Sequence, residues 1–244
     1  MPIRALLFDF DGLILDTETP DVEVWEAIYA EHGFDYPRAD WAQNIGGWGV
    51  STFDAAENLH RLSGGALDAD ALRKRQRQES DKMIAGLSVM DGVLDCLTAA
   101  KRSGLRLAIA SSSERAWVEP HLRRLGLLDR FERVVCGDDV APGRTKPHPD
   151  VFLKALSELQ LKPDEAVVLE DSPHGIKAAH LAGILVVAIP NSVSRLLPME
   201  GADLILNSLA DMPLELMLER VTSARGGGLP RPLAGTQPAS GSTG

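Results

Sequence analysis

The chain has 244 residues, 44% hydrophobic, 25% charged and 5% aromatic, enough apolar side chains for a full core and a second, smaller one. Its 25 basic against 35 acidic residues leave a formal charge of −10, which argues against a nucleic-acid or anionic-membrane surface, because such surfaces bind through Lys and Arg. The two cysteines, Cys96 and Cys136, form no CxxC pair and lie among apolar neighbours, so buried free thiols are expected rather than a disulfide framework.

The first element is the apolar run Ala5-Leu6-Leu7-Phe8, which stops at Asp9. Asp9 and Asp11 interrupt the N-terminal apolar stretch, so it does not read as a signal peptide. No run approaches the roughly eighteen residues of a membrane helix, and a cytoplasmic location is expected. Residues 17–86 hold no strand-like run. They carry helical stripes instead, Val22, Trp25 and Ile28, then Phe53, Ala56 and Leu59, followed by a charged stretch over 70–82. Further short apolar runs appear at 105–110, 133–136, 166–169, 185–189 and 204–206, each the length of a strand buried on both faces. Between them lie helical patterns that stop at Gly104 and Gly183. The alternation predicts a doubly wound α/β parallel sheet over 1–16 and 87–222, with an all-helical insertion over 17–86. The insertion starts where open α/β sheets bind ligands, so a lid is expected. Residues 223–244 are rich in Gly and Pro, lack acids and hold few bulky apolar side chains, and are expected to be a disordered tail.

Four polar clusters follow the predicted strands. Asp9-Phe10-Asp11-Gly12, continued by Asp16-Thr17-Glu18, sets two carboxylates two residues apart, an arrangement that repels itself unless a positive charge lies beside it. Mg²⁺ supplies that charge for hard oxygen ligands, and Gly12 permits a tight turn; an Asp-rich turn closing a strand is the competing account. Ser111-Ser112-Ser113 offers hydroxyls and amide groups to a phosphate, or simply caps a helix. Lys146, set between turn residues, is either a fixed cation or solvated surface. Glu170-Asp171 would complete an oxygen-rich cation site with Asp9, or dress a helix N-terminus. All four fall at C-terminal strand ends or in the loops that follow, where metal-binding acids and phosphate-binding hydroxyls and lysine together describe a phosphoryl-transfer centre.

In this order the motifs resemble the haloacid dehalogenase-like hydrolases, most nearly the helical-cap phosphatase and β-phosphoglucomutase branch, over roughly residues 3–222. The resemblance implies that Asp9 is the nucleophile and forms an aspartyl phosphate. It implies that Asp11 is the general acid and then the base, its backbone carbonyl also binding Mg²⁺. Ser111, Ser112 and Lys146 would hold the phosphoryl oxygens. Mg²⁺ would be bound by Asp9 and Asp171, with Glu170 contributing directly or through water. Thr17 would belong to the cap hinge.

Departures narrow the choice. The dehalogenases and phosphonoacetaldehyde hydrolases of this family lack an acid at the Asp11 position, so neither activity is implied. Many relatives carry a His early in the first cap helix, where this chain has Asp21. Mutases need a basic cap residue for a second phosphate, yet the expected substrate loop holds Gly46-Gly47-Trp48-Gly49, and no Lys or Arg lies between Arg38 and Arg61. Gly47 and Trp48 are the cap candidates for substrate contact, Trp48 stacking on a sugar or packing cap against core. The expected function is Mg²⁺-dependent hydrolysis of a small phosphate monoester by a monomer. A β-phosphoglucomutase-like mutase is the alternative among enzymes, and a phosphate-responsive binding protein the alternative outside them.

Overall fold

The structure, a computed structural model, describes residues 2–42 and 53–224. Six parallel strands form one sheet: β1 (Ala5–Phe8), β2 (Arg106–Ala110), β3 (Arg133–Val135), β4 (Ala166–Glu170), β5 (Leu185–Ala188) and β6 (Leu204–Ile205), in the order β3-β2-β1-β4-β5-β6. β1 lies at the centre, with Phe8 level with Ile109 on one side and Leu169 on the other. The chain order reverses across β1, which opens a crevice at its C-terminal end.

Both faces of the sheet are covered, and the alternation along each strand decides which side chain goes where. Leu6, Phe8, Ile109, Leu169 and Val187 point into one layer, with α5 (Val93–Arg102), α6 (Arg115–Arg124) and α9 (Leu214–Ala224). Leu7, Ala108, Val168 and Val186 point into the other, with α7 (Asp150–Glu158) and α8 (Pro173–Leu181). The expected doubly wound α/β core is therefore observed. Cys96 and Cys136 are free and buried.

Among the described residues four helices lie between β1 and α5 in sequence: α1 (Glu18–Glu31), α2 (Arg38–Ala42), α3 (Ala55–Leu62) and α4 (Ala69–Ala85). Trp25, Ile28, Tyr29, Ala56, Leu59 and Leu72 give them a core of their own. Asp54 and Asp68 cap α3 and α4, accepting from Glu57 N at 3.0 Å and Ala71 N at 2.8 Å. The charged stretch is the outer face of α4, where Arg75 pairs with Glu31 and Glu79, and Arg73 with Asp54, Glu57 and Asp70. Val22 departs from the expected stripe. It packs on Val193, in the loop after β5, and so ties this layer to the sheet domain.

α9 continues through Ala224, so Ser223 and Ala224, the first two residues of the expected tail, belong to this helix. The rest of that tail, from 225 on, and the cap candidates Gly47 and Trp48 lie outside the described residues. Among the described residues no helix is long and apolar enough to cross a membrane.

Candidate active site

Two neighbouring strands end side by side. Asp9 continues the ladder past β1, its N–H donating to Leu169 O at 3.0 Å. β4 ends on Glu170, and Asp171 follows directly. Gly12 lets the two loops close on each other. Its φ is +77°, and a Cβ there would fall 2.4 Å from Asp171 Oδ2, so only glycine fits.

Lys146 comes from the turn before α7, closed by His148 N–H donating to Thr145 O at 2.9 Å. The side chain is buried, its exposure only 2%. Its ammonium donates to Asp9 Oδ1 and, at 2.5 Å, to Glu170 Oε1, and lies 5.0 Å from the centre of the Phe152 ring. Glu170 is held from its other side as well: Oε2 accepts from Asp171 N at 3.1 Å, Ser172 N at 3.1 Å and Ser172 Oγ at 3.0 Å. Both of its oxygens thus have protein partners. Gly175, in the first turn of α8, makes room for this carboxylate, because a Cβ there would lie 1.8 Å from Glu170 Cδ.

Asn191, just past β5, fixes Asp171. Its Oδ1 accepts from Val193 N and Ser194 N, both at 2.9 Å, which turns Nδ2 toward the acids. Nδ2 stands 2.8 Å from Asp171 Oδ2, 2.7 Å from Glu18 Oε2 and 3.3 Å from Gly12 O.

Asp9, Glu170 and Asp171 are all buried, and an oxygen from each falls within 4.8 Å of the others. Among the described residues a single ammonium faces these three carboxylates. Burial pushes the Asp9 carboxyl up to about 8 from 3.8, against the pull of Lys146 and with the push of Glu170 and Asp11. Burial, then Glu18, Glu170 and Asp9, drive Asp171 well above its ordinary value. Glu18 is raised in the same way, by burial foremost. Such an excess of buried negative charge is costly unless a cation joins it. An all-oxygen donor set of this kind fits Mg²⁺.

Asp11 stands outside that cluster of carboxylates. Its Oδ1 accepts from Thr17 Oγ1 at 3.0 Å and Trp117 Nε1 at 2.8 Å, and its Oδ2 from Ser113 Oγ at 2.6 Å. The loop after β2 is itself anchored: Ser111 N–H donates to Val135 O at 3.0 Å, and Ser111 Oγ accepts from Ser113 N at 3.0 Å. Ser112 Oγ is buried with no hydrogen-bond partner among the described residues.

The structure thus joins Asp9, Lys146, Glu170 and Asp171 directly, and links Asp11, Thr17 and the serine loop in a second network. Trp117, Asn191 and Gly175 were not foreseen, and Ser113, expected with Ser111 and Ser112 to meet a phosphate or cap a helix, donates to Asp11 instead. Asn191 follows a strand's C-terminal end as the other motifs do, so the same rule would have found it. Ser113 lies in the loop just before α6 and Trp117 in its first turn, and no spacing rule in the sequence joins them.

Comparison with known proteins agrees. The 244-residue chain matches the haloacid dehalogenase-like hydrolase family model over residues 6–189. It is 40% identical to the putative phosphatase YhcW of Bacillus subtilis (strain 168) over 221 residues, covering 91% of this chain and 99% of that one. It is 30% identical to the β-phosphoglucomutase of the same organism over 226 residues, covering 89% and 95%. Among solved structures, CbbY from Rhodobacter sphaeroides in complex with xylulose-(1,5)bisphosphate superposes with a TM-score of 0.63 at 28% identity, covering 86% of this chain and 96% of that one. On this match, and on a parallel sheet whose strand ends gather the acids and the lysine, the chain belongs to the haloacid dehalogenase-like hydrolase family.

Proposed function

We propose that this protein is a Mg²⁺-dependent phosphatase that hydrolyses a small phosphate monoester, such as a sugar phosphate, through an aspartyl phosphate on Asp9. The observation that carries this is the buried Lys146 ammonium spanning Asp9 and Glu170 beside Asp171, with Asp11 held separately two residues on. Asp9, Asp171 and the Asp11 carbonyl would hold Mg²⁺, which when bound would supply the charge that lets a carboxylate approach a phosphate dianion. Glu170 acts through Lys146, fixing the ammonium where it also meets a phosphoryl oxygen, and Ser111 and Ser112 hold the remaining oxygens. An Asp9 oxygen attacks phosphorus as the P–O bond to the alcohol breaks, and Asp11 gives that oxygen its proton. Water then attacks the aspartyl phosphate, Asp11 takes the water's proton, and phosphate leaves with Asp9 restored. Thr17, beside Asp11 at the start of α1, couples the helical layer to this site.

Relatives include a phosphatase and a mutase. Three of the cap cations support water as the acceptor, since Arg38 pairs with Glu26, and Arg73 and Arg75 with acids of their own layer; a second phosphate would have to be gripped by exposed cations such as Arg61 or Arg77. The test is a panel of phosphorylated metabolites, with Mg²⁺ or chelator, followed for free phosphate. It includes β-glucose 1-phosphate with a trace of the 1,6-bisphosphate. Metal-dependent phosphate release is expected; conversion to glucose 6-phosphate with little free phosphate would overturn hydrolysis in favour of the mutase.

A further inference from the structure

We propose that Trp117 is a positioning residue for Asp11: its indole N–H, donating to Oδ1, fixes the orientation in which the Asp11 carboxyl meets the leaving oxygen. This rests on the hydrolase reading, in which Asp11 protonates the leaving oxygen.

The three donors around Asp11 differ in chemistry. A hydroxyl donates or accepts, whereas an indole nitrogen only donates. Trp117 Nε1, 2.8 Å from Oδ1, therefore always needs an acceptor lone pair there, and it holds the carboxyl from one fixed direction. The Thr17 hydroxyl, on the same oxygen at 3.0 Å, and the Ser113 hydroxyl, 2.6 Å from Oδ2, each turn to donate or accept and fix no direction alone. Without the indole the carboxyl would turn between its two hydroxyl partners, and would meet the leaving oxygen in the required direction only part of the time.

Trp117 is well placed to hold this orientation because it is itself held. Its ring packs edge-on against His121 at 4.4 Å between centroids, and His121 lies against Phe10 at 6.3 Å. Phe10 is the residue between the two aspartates, so the support returns to the strand end that carries them. Trp117 sits in the first turn of α6, its backbone N–H donating to Glu114 O at 2.9 Å. A rigid helix start, rather than a loop, thus sets the angle of the Asp11 carboxyl.

The test compares phenyl phosphate with p-nitrophenyl phosphate, two esters of nearly one shape. Phenolate is the poor leaving group and needs a proton as the P–O bond breaks; nitrophenolate departs without one. The readout is kcat/KM, which reports ester cleavage and not the later hydrolysis. Trp117→Phe keeps an apolar ring and removes the N–H. It is expected to lower kcat/KM on phenyl phosphate by about tenfold or more, and on p-nitrophenyl phosphate by no more than about twofold. If Trp117→Phe does not fold, benzothienylalanine at 117, which has a ring of the same shape without the N–H, is measured in its place with the same expectation. Equal losses on the two esters, or no loss on either, would overturn the role of Trp117 and leave the phosphatase standing. A wild-type protein inert on both esters would overturn the phosphatase and this inference together.

Discussion

Lys146 carries the most consequence of any single side chain in the site. Among the described residues it is the one ammonium at Asp9, Glu170 and Asp171, and it touches two of them. Lys146→Met should destabilise the metal-free protein by about 3–5 kcal/mol at pH 8, because it leaves buried carboxylates without a partner. Urea unfolding measures this, and a loss under about 1 kcal/mol would show that the cluster is not held by the ammonium. Asn191 acts one shell further out, through Asp171 Oδ2 at 2.8 Å. Asn191→Ala should weaken Mg²⁺ binding by about 10–100-fold; calorimetric titration with the metal alone reads this, and unchanged affinity would remove Asn191 from the site. Asp9 and Glu170-Asp171 were legible in the sequence because they follow apolar runs, and Lys146, set between turn residues, because it falls in a loop after one and in order with the other motifs. Trp117 was not, because an aromatic residue in a helix start reads as core until the carboxylate it meets is known.

At the scale of elements, the first turn of α8 is built around Glu170. Gly175 leaves no space for a methyl group, with Glu170 Oε1 1.9 Å from where a Cβ would sit, whereas nothing lies within 4 Å of the corresponding point at Gly104. Gly175→Ala should therefore cost about 1–3 kcal/mol by overpacking and displace Glu170 from Lys146. Its phosphatase activity should fall with its melting temperature, while Gly104→Ala, whose φ of +70° carries only local backbone strain, should leave activity near wild type. Matching activities in the two variants would contradict the packing account. The six strands were readable because short, continuously apolar runs have no other use in a chain of this composition. The five-residue α2 and the seat of Val22 against Val193 were not. A short helix has too few turns to show a period, and a single valine carries no sign of which domain it will face.

For the whole molecule, the buried acids couple stability to pH and to metal. The Asp9 carboxyl titrates at about 8 in the fold against 3.8 unfolded, so the folded state keeps its proton where the unfolded state has lost it. Stability from this group is full below 3.8 and is lost as pH rises through about 8. In chelator the melting temperature should fall between pH 5 and pH 8, roughly the upper part of that window, and Mg²⁺ should flatten the fall by supplying the missing charge. Asp171→Asn, with one acid fewer, should flatten it without metal. Equal slopes with and without Mg²⁺ would contradict the charge argument. The layered α/β core and the convergence of motifs on its strand ends were legible at this scale, since β1 and β4 pair side by side with Phe8 level with Leu169. The second network, from Thr17 through Asp11 to Ser113 and Trp117, depends on contacts up to 106 residues apart, which no local pattern records. The most direct measurement is rapid quenching of the enzyme with Mg²⁺ and a ³²P-labelled phosphate monoester that it turns over, followed by mapping of the label. Label on Asp9 during turnover is expected, with no label and a loss of at least about a thousandfold in kcat for a folded Asp9→Asn variant. Turnover that proceeds with no label on Asp9, or that survives in Asp9→Asn, would contradict covalent catalysis at that residue.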